Sequence, residues 1–316
     1  MQTPATHPHL NSVLSTAQLP ALPHSAIELL KVSQNPGSNP RDFARPIEAD
    51  PGLMGQVLRF VNSSYFGFSR QIASVSQALT LVGVRPITNF ALWSAVFSLI
   101  PNPNFGSFSL RELWQDSLRR AIFARRVAKR LQLSEAEDLF AAALLQDMAI
   151  PLLLRELPDG YSKLMARRQA EMLRLSELER QEFGWDHAEA AAALVRGWNL
   201  PENFARLIER HPDLDKLLGA GQELRPEACV ALASLLPSGG DAEWSERAAF
   251  VRGFESLVGA RASLTDLLAE TDAGMEEFAP LLKLPVPART LKEWFAATPA
   301  PAVMPEPSSA TPTLVR

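Results

Sequence analysis

Glu48-Ala49-Asp50-Pro51-Gly52-Leu53-Met54, running on to Val61-Asn62-Ser63-Ser64-Tyr65-Phe66-Gly67, is the stretch that settles what kind of fold this is. The residue before a proline is disfavoured in the helical region, so Asp50-Pro51 marks a boundary. Leu53, Val57, Leu58 and Val61 then recur at helical spacing and predict a helix over about 53–61. Asn62-Ser63-Ser64 ends it with side chains that compete for backbone groups, and Gly67 permits a sharp turn.

The same punctuation continues on both sides. Residues 1–18 are polar and proline-containing and read as a flexible lead-in. A short helix carries Ile27, Leu29 and Leu30, and Asn39-Pro40 offers a cap followed by proline at the first helical position. Pro46 then predicts a kink or a late start. A helix over 74–83 closes on Gly83, and Pro86 opens an apolar helix over 87–100 with no polar face. Pro101-Asn102-Pro103-Asn104 breaks the chain into subdomains. Ser109 with Glu112, and Ser134 with Glu137, read as capping boxes for helices 109–132 and 134–146. Helical patterns follow over 161–182, 186–197, 201–210, 225–236, 243–258, 264–270 and 290–296. No strand pattern persists, so the fold class is all-α. From Thr298 onward Pro, Ala, Ser and Thr dominate, which predicts a disordered tail over 298–316.

Composition narrows the function. The apolar fraction of 47% and charged fraction of 21% are those of an ordinary soluble globular protein, and the net charge of −4 argues against nonspecific nucleic-acid binding. The single cysteine, Cys229, cannot form an internal disulfide, which fits a reducing cytoplasm. Met1-Gln2-Thr3-Pro4 lacks the features of a signal peptide, and the longest apolar run, around Phe90 to Ile100, is too short to span a bilayer.

Several segments in order carry a family resemblance: Leu19-Pro20-Ala21-Leu22-Pro23, the Glu48–Gly67 stretch, and Ile72-Ala73-Ser74-Val75 leading into Gln77-Ala78-Leu79-Thr80-Leu81-Val82-Gly83. Later come Glu182-Phe183-Gly184-Trp185-Asp186-His187-Ala188-Glu189 and Gly197-Trp198-Asn199-Leu200-Pro201. Over roughly residues 17–212 the chain resembles the HDOD family, the HD-related output domains of bacterial signalling proteins. The resemblance implies an N-terminal helical subdomain (19–104) packed on a degenerate HD-like subdomain (105–213). Residues 214–297 then form a helical extension outside the match.

HD phosphohydrolases hold metal between helices with a first histidine, an adjacent His-Asp pair and a distant aspartate, and the metal acidifies water to make a nucleophile. Here the His-Asp position reads Gln146-Asp147, and the preceding helix has no histidine, only Asp116 and Ser117 in that region. His187 and His211 fall where metal-binding relatives carry later histidines. With Asp147 they could form a site if they converge. Otherwise His187 is a first-turn residue behind the Asp186 cap, His211 a helix C-terminal residue, and Asp147 a cap or helix-bonding carboxylate. The expectation is therefore no metal, no cofactor and no catalysis.

Two further groups are candidates. Asn62, Ser63 and Tyr65 either line a groove towards the remnant pocket or only terminate a helix. Arg119-Arg120, Arg125-Arg126 and Lys129-Arg130 form a basic stripe on one helix, with Arg119, Arg125, Arg126 and Arg130 as its docking candidates. It is either a docking surface for an acidic partner or a helix exterior paired with Glu135, Glu137 and Asp138. The function expected is a cytoplasmic signalling module that binds a protein partner, with a small signalling ligand in the remnant pocket. The alternatives are a metal-dependent phosphohydrolase with an atypical ligand set, and nucleic-acid binding through the stripe.

Overall fold

Capping side chains and prolines set most of the helix starts in the computed structural model, which describes residues 7–17, 21–63, 66–106 and 108–297. The N-terminal part holds α1 (Pro8–Thr16), α2 (His24–Gln34), α3 (Pro40–Glu48), α4 (Pro51–Val61), α5 (Val75–Leu81) and α6 (Val84–Leu99). Asn39 and Asp42 close a capping box on α3, which continues through Pro46. Asp50 accepts the Leu53 N–H, so α4 begins at Pro51, earlier than its apolar spacing predicts. Residues 8–16, expected as part of a loose lead-in, are helical. Leu10 and Val13 of α1 are buried, and His9 Nδ1 accepts from Trp185 Nε1 at 3.3 Å.

The part expected to be HD-like comprises α7 (Leu110–Arg130), α8 (Ala136–Leu145), α9 (Ile150–Glu156), α10 (Pro158–Glu171), α11 (Leu175–Phe183), α12 (His187–Gly197) and α13 (Glu202–Glu209). Ser109 caps α7 as expected. Ser134 does not cap α8, which starts behind Glu135 with no side-chain cap. The charged helix expected over 161–182 is split into α10 and α11 at Met172, which adopts the left-handed conformation.

The extension adds α14 (Leu214–Gly219), α15 (Arg225–Ser234), α16 (Arg247–Leu257), α17 (Leu264–Phe278) and α18 (Leu291–Ala296), and no strand occurs among the described residues. It is not a loose appendage. α7 packs on α8 and also on α15 and α17. Phe60 of α4 stacks on Phe90 of α6 at 4.1 Å. Phe278 of α17 lies 6.0 Å from Phe60 and 6.1 Å from Phe140 of α8, so all three parts share one apolar core.

Candidate functional site

Three buried side chains from separate helix ends meet beside α7. Asp147 lies in the turn that joins α8 to α9, where Gln146 closes α8. His187 opens α12, held there because Asp186 accepts the Ala188 and Glu189 N–H groups. His211 follows the end of α13, and its N–H bonds the Ile208 carbonyl. These are the residues that sequence reasoning marked, and the structure brings them together.

Hydrogen bonds on the outer ring nitrogens fix both imidazoles. His187 Nδ1 donates to Glu179 Oε2 at 2.6 Å, and the His187 backbone N–H donates to the same oxygen at 2.9 Å. Tyr161 donates to the other oxygen of Glu179 at 2.5 Å. His211 Nδ1 donates to the Ile208 carbonyl at 2.7 Å. Both Nε2 atoms therefore face inward, 3.2 Å from each other and 3.3 and 3.6 Å from Asp147 Oδ1.

The electrostatics divide the three groups. Burial would raise the Asp147 pKa, but the Arg120 guanidinium, the His187 hydrogen bond and His211 hold it well below the usual carboxylate range. Burial opposes protonation of His187, yet Glu179 and Asp147 outweigh it and raise the imidazole to about 10. In His211 burial prevails over the attraction of Asp147 and, with the neighbouring His187 charge, lowers the pKa to about 3. One charged and one neutral imidazole thus share a carboxylate.

Arg120 of α7, read from the sequence only as a member of the basic stripe, proves central. One of its terminal nitrogens is ion-paired to Asp147 Oδ2, and the other donates to Ser238 Oγ at 3.0 Å. Gln146 Nε2 reaches the same Asp147 oxygen at 3.3 Å, while Gln146 Oε1 is buried without a hydrogen-bond partner. Asp116, placed by sequence near the missing histidine, instead accepts the Gly239 N–H at 3.0 Å. Burial raises its pKa to about 6 against the pull of Arg120 and Arg119. A cavity of about 220 Å³ opens over the three residues. Its floor includes Gln146 and Asp147, its apolar walls Phe108, Leu113 and Met165, and its far side Ser234, Ser238 and Glu246 of the extension.

The other candidates lie elsewhere. Asn62 bonds the Leu58 and Ile72 carbonyls and the Ile72 N–H, and Ser63 bonds the Phe60 carbonyl. Both terminate α4 and pin the following loop, and neither lines the cavity. Tyr65 lies outside the described residues. Much of the basic stripe is engaged within the protein, while Lys129 and Arg130 at its end stay exposed. Arg119 is buried and donates to the Pro237 and Arg289 carbonyls. Arg126 and Arg130 pair with Glu270 of α17. Arg125 is buried and pairs with Glu137 at 3.4 Å.

No metal ligand set was expected, but Asp147, His187 and His211 fit one. A tetrahedral zinc-class cation bound at about 2.0–2.1 Å separates its ligands by about 3.4 Å. The three inward atoms are 3.2, 3.3 and 3.6 Å apart. Glu179 behind His187 and the carbonyl behind His211 are the outer partners that orient ligating imidazoles. The fit is for one cation, since Arg120 and Gln146 already hold the second oxygen of Asp147.

Known proteins place the chain. It matches the HDOD domain over residues 19–214. A protein of Treponema pallidum is 26% identical over 219 residues, which are 69% of this chain and 42% of that protein, so this chain spans less than half of that relative's length. Among solved structures, an HDOD domain protein of unknown function from Geobacter sulfurreducens gives a TM-score of 0.64 at 20% identity, covering 84% of this chain and 93% of that one. A candidate phosphohydrolase from Shewanella amazonensis gives 0.63 at 22%, covering 84% and 94%. A candidate signal transduction protein from Marinobacter aquaeolei gives 0.64 at 20%, covering 85% and 61%. These structural likenesses are in fold, whereas the domain match spans well over half of the sequence: the chain belongs to the HDOD family.

Proposed function

We propose that this chain is a regulatory module of bacterial signal transduction that acts in the cytoplasm by binding a protein partner rather than by catalysis. The observation that carries this reading is the state of Asp147. In a metal-dependent phosphohydrolase the carboxylate of the His-Asp pair is a metal ligand. Here one of its oxygens is held by Arg120 and Gln146, the histidine position is that same glutamine, and α7 contributes no ligand histidine. A fixed guanidinium beside the centre opposes the second cation that two-metal phosphoryl chemistry requires. The kinship in fold with the Marinobacter protein agrees with a signalling role.

The test is hydrolysis by protein loaded in turn with manganese, iron and zinc, using phosphate monoesters, diesters and cyclic dinucleotides. No release above the protein-free rate is expected. Saturable turnover that Asp147→Asn abolishes would overturn the regulatory reading.

One observation favours a second reading, a one-metal phosphohydrolase. The separations among Asp147, His187 and His211 suit a cation, which would supply Lewis acidity to a phosphoryl oxygen. In that reading Arg120 and Arg174, both lining the cavity, would orient the phosphate.

A further inference from the structure

The segment Pro237–Asp241 lies in the link between α15 and α16, and its Ser238 and Gly240 line the cavity from the side of the extension. Side chains of the HD-like part hold almost every residue of it. Arg119 donates to the Pro237 carbonyl, Arg120 to Ser238 Oγ, and Arg168 to Asp241 Oδ1 at 2.7 Å, while Asp116 accepts the Gly239 N–H. The outer surface of Gly239 and Gly240 is exposed. The strap is thus latched on its inner side and visible to a partner on its outer side.

Only Arg120 among these latches also reaches the Asp147–His187–His211 centre. Its two terminal nitrogens are rigidly joined through one planar guanidinium, so they cannot move independently. We propose that Arg120 couples the state of that centre to the strap: a single divalent cation at the centre shifts the guanidinium and loosens Pro237–Asp241. The proposal rests on the one-cation fit of the three ligands.

Two physical effects give the direction. A cation on Asp147 Oδ1 takes up carboxylate charge that now anchors Arg120, and it repels the guanidinium directly. Arg120 is almost entirely enclosed, with a side-chain exposure of 12%, so water does little to damp either effect. A guanidinium displaced from Asp147 loses its alignment on Ser238. The bundle then holds the strap through the Pro237 carbonyl, Gly239 and Asp241 alone, and a partner reading the Gly239–Gly240 surface meets a looser segment.

The experiment uses the full chain, stripped with chelator and then titrated with cobalt(II). The cobalt absorption spectrum reports occupancy and tetrahedral ligation, and hydrogen–deuterium exchange of peptides spanning 237–241 reports the strap. Wild-type protein is expected to take up one cobalt and to exchange several-fold faster in the strap. Ser238→Ala cuts only the strap end of Arg120, so it should bind cobalt with the same spectrum and lose that response. Cobalt binding with unchanged strap exchange in the wild type would overturn the coupling while leaving the cation site standing. A strap response that persists in Ser238→Ala would also overturn it. Failure to bind cobalt would overturn both.

Discussion

Replacing Arg120 with methionine tests how the centre is neutralised. The change keeps the apolar stem and removes the guanidinium, which pairs with a carboxylate only 5% exposed. Removing one member of a buried ion pair costs about 3–5 kcal/mol, because the remaining charge stays in the interior. Asp147 keeps His187 at 3.3 Å, so the lower end of that range applies, and the lost bond to Ser238 adds about 1 kcal/mol. Zinc should stabilise the variant more than the wild type. With an effective dielectric of about 20, a unit charge some 5 Å from a divalent cation opposes it by about 6–7 kcal/mol. Even a fifth of that is roughly a tenfold change in affinity. By linkage, zinc at fixed excess then stabilises Arg120→Met by about 1.4 kcal/mol more than the wild type. Urea unfolding followed by tryptophan fluorescence, in chelator and in zinc, measures both terms. A loss below about 1 kcal/mol in chelator, or equal zinc stabilisation of both proteins, would refute the reasoning.

Three other outcomes follow from particular contacts. A Cβ on Gly274 would stand 2.9 Å from Ile122 Cγ2, so Gly274→Ala should push α17 off α7 and cost about 1–3 kcal/mol in urea unfolding, and a change near zero would mean α17 is seated differently. His187 has its pKa raised from 6.5 to about 10, so the stability it contributes is full below pH 6.5 and is lost as pH rises through about 10. In metal-free protein the urea midpoint should fall across that window, and His187→Gln should flatten the fall. Cys229 is fully buried, and burial pushes its thiol well above the ordinary range, so a thiol reagent should label native protein only as fast as the chain opens.

Much of this architecture could be read from the sequence wherever a local signal sets the structure. Asp50, Ser109 and Asp186 each cap the helix they were read to precede, because a cap is a contact within a few residues. Local signals misled at Ser134, where α8 starts without a side-chain cap, and at α1, whose few apolar residues become significant only on a core made elsewhere in the chain. The basic stripe looked like an exterior because the helix that covers it, α17, lies more than a hundred residues downstream, and no periodicity reveals that. Its pairing was partly legible: Arg125 and Arg126 point to different acids, Glu137 and Glu270, as their different helix faces require. The convergence of Asp147, His187 and His211 came from family resemblance, since nothing in their spacing brings them together. Arg120 was read only as part of the stripe, although a signal for its place at the centre existed. It lies four residues after Asp116 on a helix face that also carries Leu113, which sets it apart from the neighbouring arginines that reach other partners.

The most direct measurement is elemental analysis of protein purified without chelator, run beside a phosphate-release assay on the same sample. A regulatory centre closed by Arg120 gives at most one cation per chain and no phosphate release. Two cations per chain together with turnover would contradict it, because Arg120 would then have left Asp147 free to bridge them.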